Sequence, residues 1–428
     1  MKTKITLVGL AIWLNAIAAG AMETLPVLRV GSETYSNVTV TIISDTDIYF
    51  KHRGGLGNAK VKDLDPELQK RFHFDPAAGR AAGTLQVQAR SSPGTAGVGT
   101  TDSSSEFELP KASDFQVFET EETKEWTAIL EQVHGLVAAK DFERLDRLAA
   151  HWRQSKERFS NGNWKLDLLY AGCKPAENDS PAVWRQRIAF AEEWSKARPD
   201  SITARLVHAD LLAGYAWQAR GHQYADKVAD DAWRLFDVRM QEAQEVIRNA
   251  AALKETCPYA GVVQMAVALG TGADKAQFIT MANRLIKSEP TYICFYSNPM
   301  NFLLPRWYGE EGDSEHFLAE AADRLGGDEG DAAYAGATWR MHNLRAFRNV
   351  LSELHLSWQR VNRGFKVMER REPHSLCVLS EHAYLASLAG DIATAQHLLR
   401  RLDKKIDLSV WRTRERFDRF VHWCGGED

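Results

Sequence analysis

From about residue 121 onward, apolar positions recur at steps of three and four, the spacing that puts side chains on one face of an α-helix. Ile202, Leu206, Ala209, Ala213 and Ala216 step this way directly after Pro199, Asp200 and Ser201, which supply an N-terminal cap. Phe236, Met240, Ala243, Ile247 and Ala250 repeat the pattern. Near the C-terminal end, Ala383, Leu385, Ala386 and Leu388 lead to Ala389, Gly390 and Asp391, and a return helix is predicted through Ile392, Ala395, Leu399 and Leu402. Small alanines let the paired helices approach, Gly390 suits the turn, and Asp391 can cap the return helix. An earlier relative of this hairpin covers Val133 to Leu148, turning near Lys140, Asp141 and Phe142. The period is irregular, which predicts a divergent helical array.

Upstream the period changes from 3.6 to two. Val38, Val40 and Ile42 alternate with Thr39 and Thr41, and Ile48 and Phe50 continue the alternation after an Asp-rich turn over Ser44 to Asp47. Gly54 and Gly55 predict the next turn, Val61 and Leu64 follow, and Pro66 opens a short helical turn through Leu68 to Phe72. About fifty residues of this kind suit a compact SH3-like barrel or half-barrel. Residues 77–120 are expected to be a flexible linker, because the stretch is rich in Ala, Gly, Ser and Thr and includes Ser91 to Ser105 with almost no bulky side chain. As a flexible coil it would span on the order of 35 Å.

The first 21 residues read as a signal peptide. Lys2 and Lys4 precede an uncharged, largely apolar stretch from Ile5 to Ala18, and Ala19 and Ala21 occupy the small positions before a cleavage site. That stretch is shorter than the ~20 residues needed to span a bilayer, and residue 22 is Met, so the lipid-accepting Cys of a lipoprotein is missing. Cleavage after Ala21 would shift the formal net charge from −4 to −6, since two lysines and no acid are lost. Charges of both signs are interspersed without a basic block, so nucleic acid is not expected as a partner, nor is an anionic membrane surface. A periplasmic or extracellular product with no membrane span after cleavage is expected. Cys173, Cys257, Cys294, Cys377 and Cys424 are far apart and do not form a disulfide framework. An odd number leaves at least one thiol unpaired within the chain, and a buried structural role suits it better than catalysis.

Three aromatic motifs punctuate the helical part: Tyr215 to Gly221 (YAWQARG), Trp233 to Phe236, and Leu304 to Gly309 (LPRWYG). With Trp164, the residues Trp217, Arg220, Trp233, Arg306, Trp307 and Tyr308 are the candidate groove or structural-motif positions. In one reading the tryptophans, with Trp194, plug the core while Arg220 and Arg306 stack on them or bond loop carbonyls. In the other, some rings line a groove for a glycan or peptide. Glu310, Glu311, Asp313 and Glu315 crowd beside Trp307, as paired carboxylates do beside aromatic platforms in sugar-cutting enzymes. Four carboxylates in a Gly-containing loop are, however, far more often a solvated turn. The histidines are scattered: His374 with His382, and His208 with His222, are not at ligand spacing on one helical turn, so no metal or other cofactor is expected.

Two resemblances add to this. Gly31, Tyr35, Val38, Val40, Gly54, Gly55, Val61, Leu64, Pro66, Leu68, Gln69 and the closing Phe74, Asp75, Pro76 resemble a recurrent N-terminal module of exported planctomycete and verrucomicrobial proteins, similar to small SH3-like domains. His73 departs from it, since Gly is more usual there. Over roughly residues 140 to 340 the chain resembles a bacterial tetratricopeptide-like family catalogued as a domain of unknown function. That likeness rests on Phe159, Asn161, Gly162, Trp164, Lys165, Leu166 and Tyr170; on Trp194, Arg198, Pro199, Ser201 and Ala204; and on the three aromatic motifs. It implies a fold and no activity. The expected architecture is mainly α: a signal peptide (1–21), a small SH3-like β domain (22–76), a linker (77–120) and an irregular tetratricopeptide-like α-helical repeat domain (121–428). The expected role is a non-catalytic scaffold that binds a protein or peptide of the cell envelope. The alternative is an envelope glycan-active hydrolase using the acids near Trp307.

Overall fold

The computed structural model describes residues 23–30, 33–43, 47–52, 55–60, 64–71, 109–176, 179–221, 228–344 and 346–425. The expected signal peptide lies outside the described residues, as do linker positions 77–108 and the closing Phe74, Asp75 and Pro76. The chain divides into two units, one containing the N-terminal strands and one containing everything described from Leu109 onward.

The N-terminal unit is a four-stranded antiparallel meander of β1 (Glu23–Val30), β2 (Glu33–Ile43), β3 (Asp47–His52) and β4 (Gly55–Lys60), in that spatial order. Leu25 lies opposite Val38 and Leu28 opposite Tyr35. Val40 faces Phe50, with a register shift before Ile42. Gly55, predicted as part of a turn, instead starts β4, where Gly55 pairs with His52 and Leu56 with Lys51. Nothing in the two-residue period of GLGNAK marks it as a strand; pairing to β3 supplies the order that its composition lacks. Pro26 sits in β1, an edge strand where a missing amide donor is tolerated. The predicted turn at Pro66 is α1 (Pro66–Arg71), capped by the Asp65 carboxylate, which accepts from the Glu67 and Leu68 amides at 3.1 and 2.9 Å. Leu25, Leu28, Val38, Ala59, Leu64 and Leu68 form its core.

The second unit is helical, so the protein is mainly α as expected, with eighteen α-helices among the described residues. It runs α2 (Glu121–Ala139), α3 (Phe142–Ser155), α4 (Leu166–Cys173), α5 (Pro181–Ala197), α6 (Ile202–Arg220), α7 (Asp230–Ala250), α8 (Tyr259–Thr271) and α9 (Lys275–Ser288). It continues through α10 (Cys294–Phe302), α11 (Asp313–Leu325), α12 (Gly327–Asn343), α13 (Val350–Glu353), α14 (Trp358–Arg371), α15 (Leu376–Ala389) and α16 (Ile392–Arg401), and closes with α17 (Leu408–Trp411) and α18 (Arg414–Trp423). The predicted hairpin turns are found. Lys140 (φ 52) and Gly390 (φ 72) adopt the left-handed conformation, and the Asp141, Ser201 and Asp391 side chains accept from the amides three residues on. The spaced apolar residues of α7, Phe236, Met240, Ala243, Ile247 and Ala250, are all buried. Most neighbouring helices pack pairwise, α5 on α6, α6 on α7, α11 on α12, and α15 on α16, while α14 lies across α12. That last contact depends on Gly364, where a Cβ would overlap the Asp331 carbonyl.

The sequence expectation places residues 109–120 in the linker; the structure corrects this. Ala112–Asp114 form a 3-10 turn, Phe115 is buried against Phe417 with ring centroids 4.8 Å apart, and β5 (Gln116–Val117) pairs in parallel with β6 (Lys405–Ile406). The Arg414 guanidinium donates to the Ala112 and Phe115 carbonyls at 2.6 and 3.0 Å. Phe115, with Leu109 packed beside the core, anchors this stretch, and the partners of Phe115 lie about three hundred positions downstream, where no local pattern reveals them. No helix of the described residues is long and apolar enough to cross a membrane.

A candidate binding cleft against the Phe159 to Leu166 hairpin

Between α3 and α4 the chain makes a tight hairpin. Lys156 (φ 53) ends α3, the Phe159 amide donates to the Asn163 carbonyl at 2.8 Å, and the Gly162 amide (φ 85) donates back to Phe159 at 2.9 Å. The Asn161 carboxamide oxygen accepts from the Asn163 amide at 3.2 Å, the side-chain turn that Asn offers where a chain reverses. Two aromatic anchors hold the hairpin down. Phe159 is buried against Trp126 at 5.2 Å, and Trp164, 1% exposed, donates its indole N–H to the Thr291 carbonyl at 3.2 Å with its ring edge-on to Tyr292.

What this hairpin leaves outside is one wall of a cleft of ≈ 490 Å³. Lys156, Arg158, Ser160 and Asn161 come from the hairpin; Thr291, Ile293 and Tyr296 from the start of α10; Glu329, Ala332 and Ala333 from α12; and Met368, Arg371 and Glu372 from the end of α14. The floor is apolar and the rim charged.

The wall is braced from behind by buried polar groups. Asn161 donates to the Glu381 carboxylate at 2.9 Å, and Asn163 accepts from Arg340 at 2.6 Å, whose Nε reaches Ser297 at 3.3 Å. Ser160 donates to Glu122 at 2.6 Å and lies 2.7 Å from the Ser375 hydroxyl. Burial pushes the Glu381 carboxyl up to about 8, against the opposing hydrogen bonds from Asn161 and Cys377, with Glu122 and Asp407 adding repulsion. Burial raises Glu122 as well, and Asp407 beyond it. Deeper in, burial also raises Asp167, which Arg340 and bonds from Tyr292 and Cys294 oppose. Lys174 and Asp210 pair at 2.5 Å beneath Tyr259, which donates to Asp210 at 2.7 Å and stacks on Tyr170 at 3.7 Å. Such a braced arrangement holds a wall in one geometry before any ligand arrives.

The aromatic motifs form a separate cluster. Arg220, 7% exposed, lies 5.7, 5.2 and 5.9 Å from the Trp217, Trp233 and Trp307 ring centres, and donates to the Gly221 carbonyl at 3.2 Å. Trp217 meets Trp307 edge-on at 5.5 Å and Phe236 at 4.9 Å. Arg306 reaches the Asn301 side chain at 3.3 Å and sits over Phe347, while Tyr308 stacks on Phe302 and donates to the Leu269 carbonyl at 3.0 Å. None of the seven candidate positions lines the cleft; Trp164 adjoins it through its bond to the lining residue Thr291. Trp194 is fully buried, whereas Trp217, Trp233 and Trp307 are half-buried around Arg220.

Glu310 and Glu311 are exposed. Asp313 is spoken for, pairing with Lys275 at 2.5 Å and accepting from the Glu310 amide at 2.6 Å, and none of these acids lines the cleft. Glu315 is half-buried in the first turn of α11. All five cysteines are free thiols. Burial raises Cys173 and Cys424 to about 12, away from the reactive thiolate. Among the described residues no group of His, Cys, Asp and Glu could hold a metal ion.

No known family model matches the chain, and no curated protein matches it. The cleft was half visible in the sequence: Phe159, Asn161, Gly162 and Trp164 stand out as a motif, but its opposite wall comes from α12 and α14, more than 160 positions away. Arg340 and Glu381, which brace it, carry no local signal beyond being charges on otherwise apolar helix faces.

Proposed function

We propose that the chain is an exported, non-catalytic scaffold of the cell envelope whose helical body binds a protein or peptide segment in the hairpin cleft. The observation that carries this is the braced wall: a polar hairpin fixed by Glu381, Arg340 and Glu122 against an apolar floor. The volume falls within the roughly 300–1,000 Å³ typical of ligand clefts. Export is supported by the sequence pattern of residues 1–21, and a second contact by the N-terminal β unit, whose likeness to SH3-like modules suits peptide binding. A non-catalytic role is supported by thiols held protonated and by the exposure of Glu310 and Glu311 beside Trp307. As a test, Ala333→Trp fills the floor. The full chain should capture a specific species from envelope extract after cross-linking, and Ala333→Trp should lose it while keeping the wild-type circular dichroism. Equal capture by both proteins, or none above background by the wild type, would overturn the reading.

A further inference from the structure

The rim charges of the cleft fall into two groups. Lys156 is bound by Glu289, with both carboxylate oxygens 2.9 Å from its ammonium, and Arg371 by Glu329 at 2.5 Å. Among the described residues, Arg158 and Glu372 line the same cleft without an ion pair, and both are exposed. They stand on different walls, Arg158 on the hairpin and Glu372 at the C-cap of α14. The cleft therefore offers one unneutralised cation and one unneutralised anion on different walls, and the buried Ile293, Ala333 and Met368 as apolar lining. The end of a helix adds to the second of these, because its last carbonyls carry partial negative charge and favour a cation.

Resting on the binding reading above, we infer that the cleft takes a short zwitterionic peptide, its free carboxylate on Arg158, its free ammonium at Glu372 and the C-terminal end of α14, and an apolar side chain on the floor. The guanidinium fork matches a carboxylate in two-pronged geometry, which a single side-chain hydroxyl or amide would not use fully. A longer polypeptide passing through would leave both charges facing neutral amides. A purely anionic ligand would meet Glu372, and a purely cationic one Arg158.

Isothermal titration of the full chain with trileucine, N-acetyl-trileucine and trileucine amide tests this. Free trileucine should bind, and blocking either end should weaken binding by about tenfold, the loss of one charge-assisted contact. Arg158→Gln should bind trileucine and its amide alike, and Glu372→Gln should bind trileucine and its acetylated form alike; a purely structural role would leave each preference intact. Equal binding of free and blocked peptides by the wild type overturns the inference. So does the absence of trileucine binding, and if Ala333→Trp still abolishes capture from extract in that case, the binding cleft stands and only the zwitterionic ligand falls.

Discussion

Glu381 is a carboxylic acid buried to 3% exposure, and its partners among the described residues are donors, not cations: the Asn161 amide and the Cys377 thiol. Its acidity in the fold is weakened to about 8 against an ordinary value of 4.5, so the folded protein holds a proton there that the unfolded chain releases. The sign comes from counting protons. Between about pH 5 and 8 the native state binds more protons, so this residue makes stability fall as pH rises, by at most about 1.4 kcal/mol per pH unit for one proton. Glu381→Gln mimics the protonated form and can still accept from Asn161. Urea unfolding at pH 5 and pH 8 should show a smaller loss across the interval for Glu381→Gln than for the wild type; equal losses would show that Glu381 is ionised throughout. Single residues were legible in the sequence where their role is local. Ser201, Asp141 and Asp391 cap helices because the amides they serve are three positions away. Glu381 and Arg340 were not, because what they hold lies on a hairpin some 180 to 220 positions earlier.

At the scale of elements, helix periods and hairpin turns could be read directly, since i, i+3 and i+4 spacing and an αL residue are properties of adjacent positions. Which helix crosses which could not. α12 and α14 are separated by α13, yet they touch closely enough that Asp331 on α12 pairs with Arg360 and Arg363 on α14 at 3.1 and 2.8 Å. Gly364 makes that approach possible, and in sequence it looks like an ordinary helix-weakening glycine. In an exposed helix, Gly364→Ala would be stabilising by helix propensity. Here the added methyl meets the Asp331 carbonyl and the Ala335 side chain, so a loss of about 1–3 kcal/mol is expected in chemical denaturation. A gain would mean that α12 and α14 separate at little cost. Because Met368 and Glu372 of α14 and Ala333 of α12 line the cleft, the same substitution should also disturb its floor.

For the whole molecule, the period changes from two in the N-terminal strands to 3.6 in the helical body, but the expected start of that body was set too late. Leu109 to Phe118 belong to it: Phe115 packs on Phe417, Arg414 satisfies two carbonyls, and the Gln116 and Phe118 amides donate to Lys404 and Ile406 at 2.9 and 3.0 Å. A chain begun at residue 108 should therefore melt as the full helical body does, whereas one begun at 121 loses a buried aromatic, and Phe→Ala deletions of that kind cost about 3–5 kcal/mol. Thermal melts of the two truncations compare them directly. Matching midpoints would show that the segment merely lies on the surface.

Parallel pairing of β5 with β6 also bears on how the body comes apart. In an ordinary helical solenoid each repeat touches only its neighbours, so the terminal repeats are the weakest and fraying starts there. Here the strand preceding the first helix of the body is clasped by the strand and helix that close it, with Arg414 bridging 302 positions to Ala112. Neither end can peel away without releasing the other. The array is thereby turned from a stack that unzips from its tips into one whose two tips share a lock.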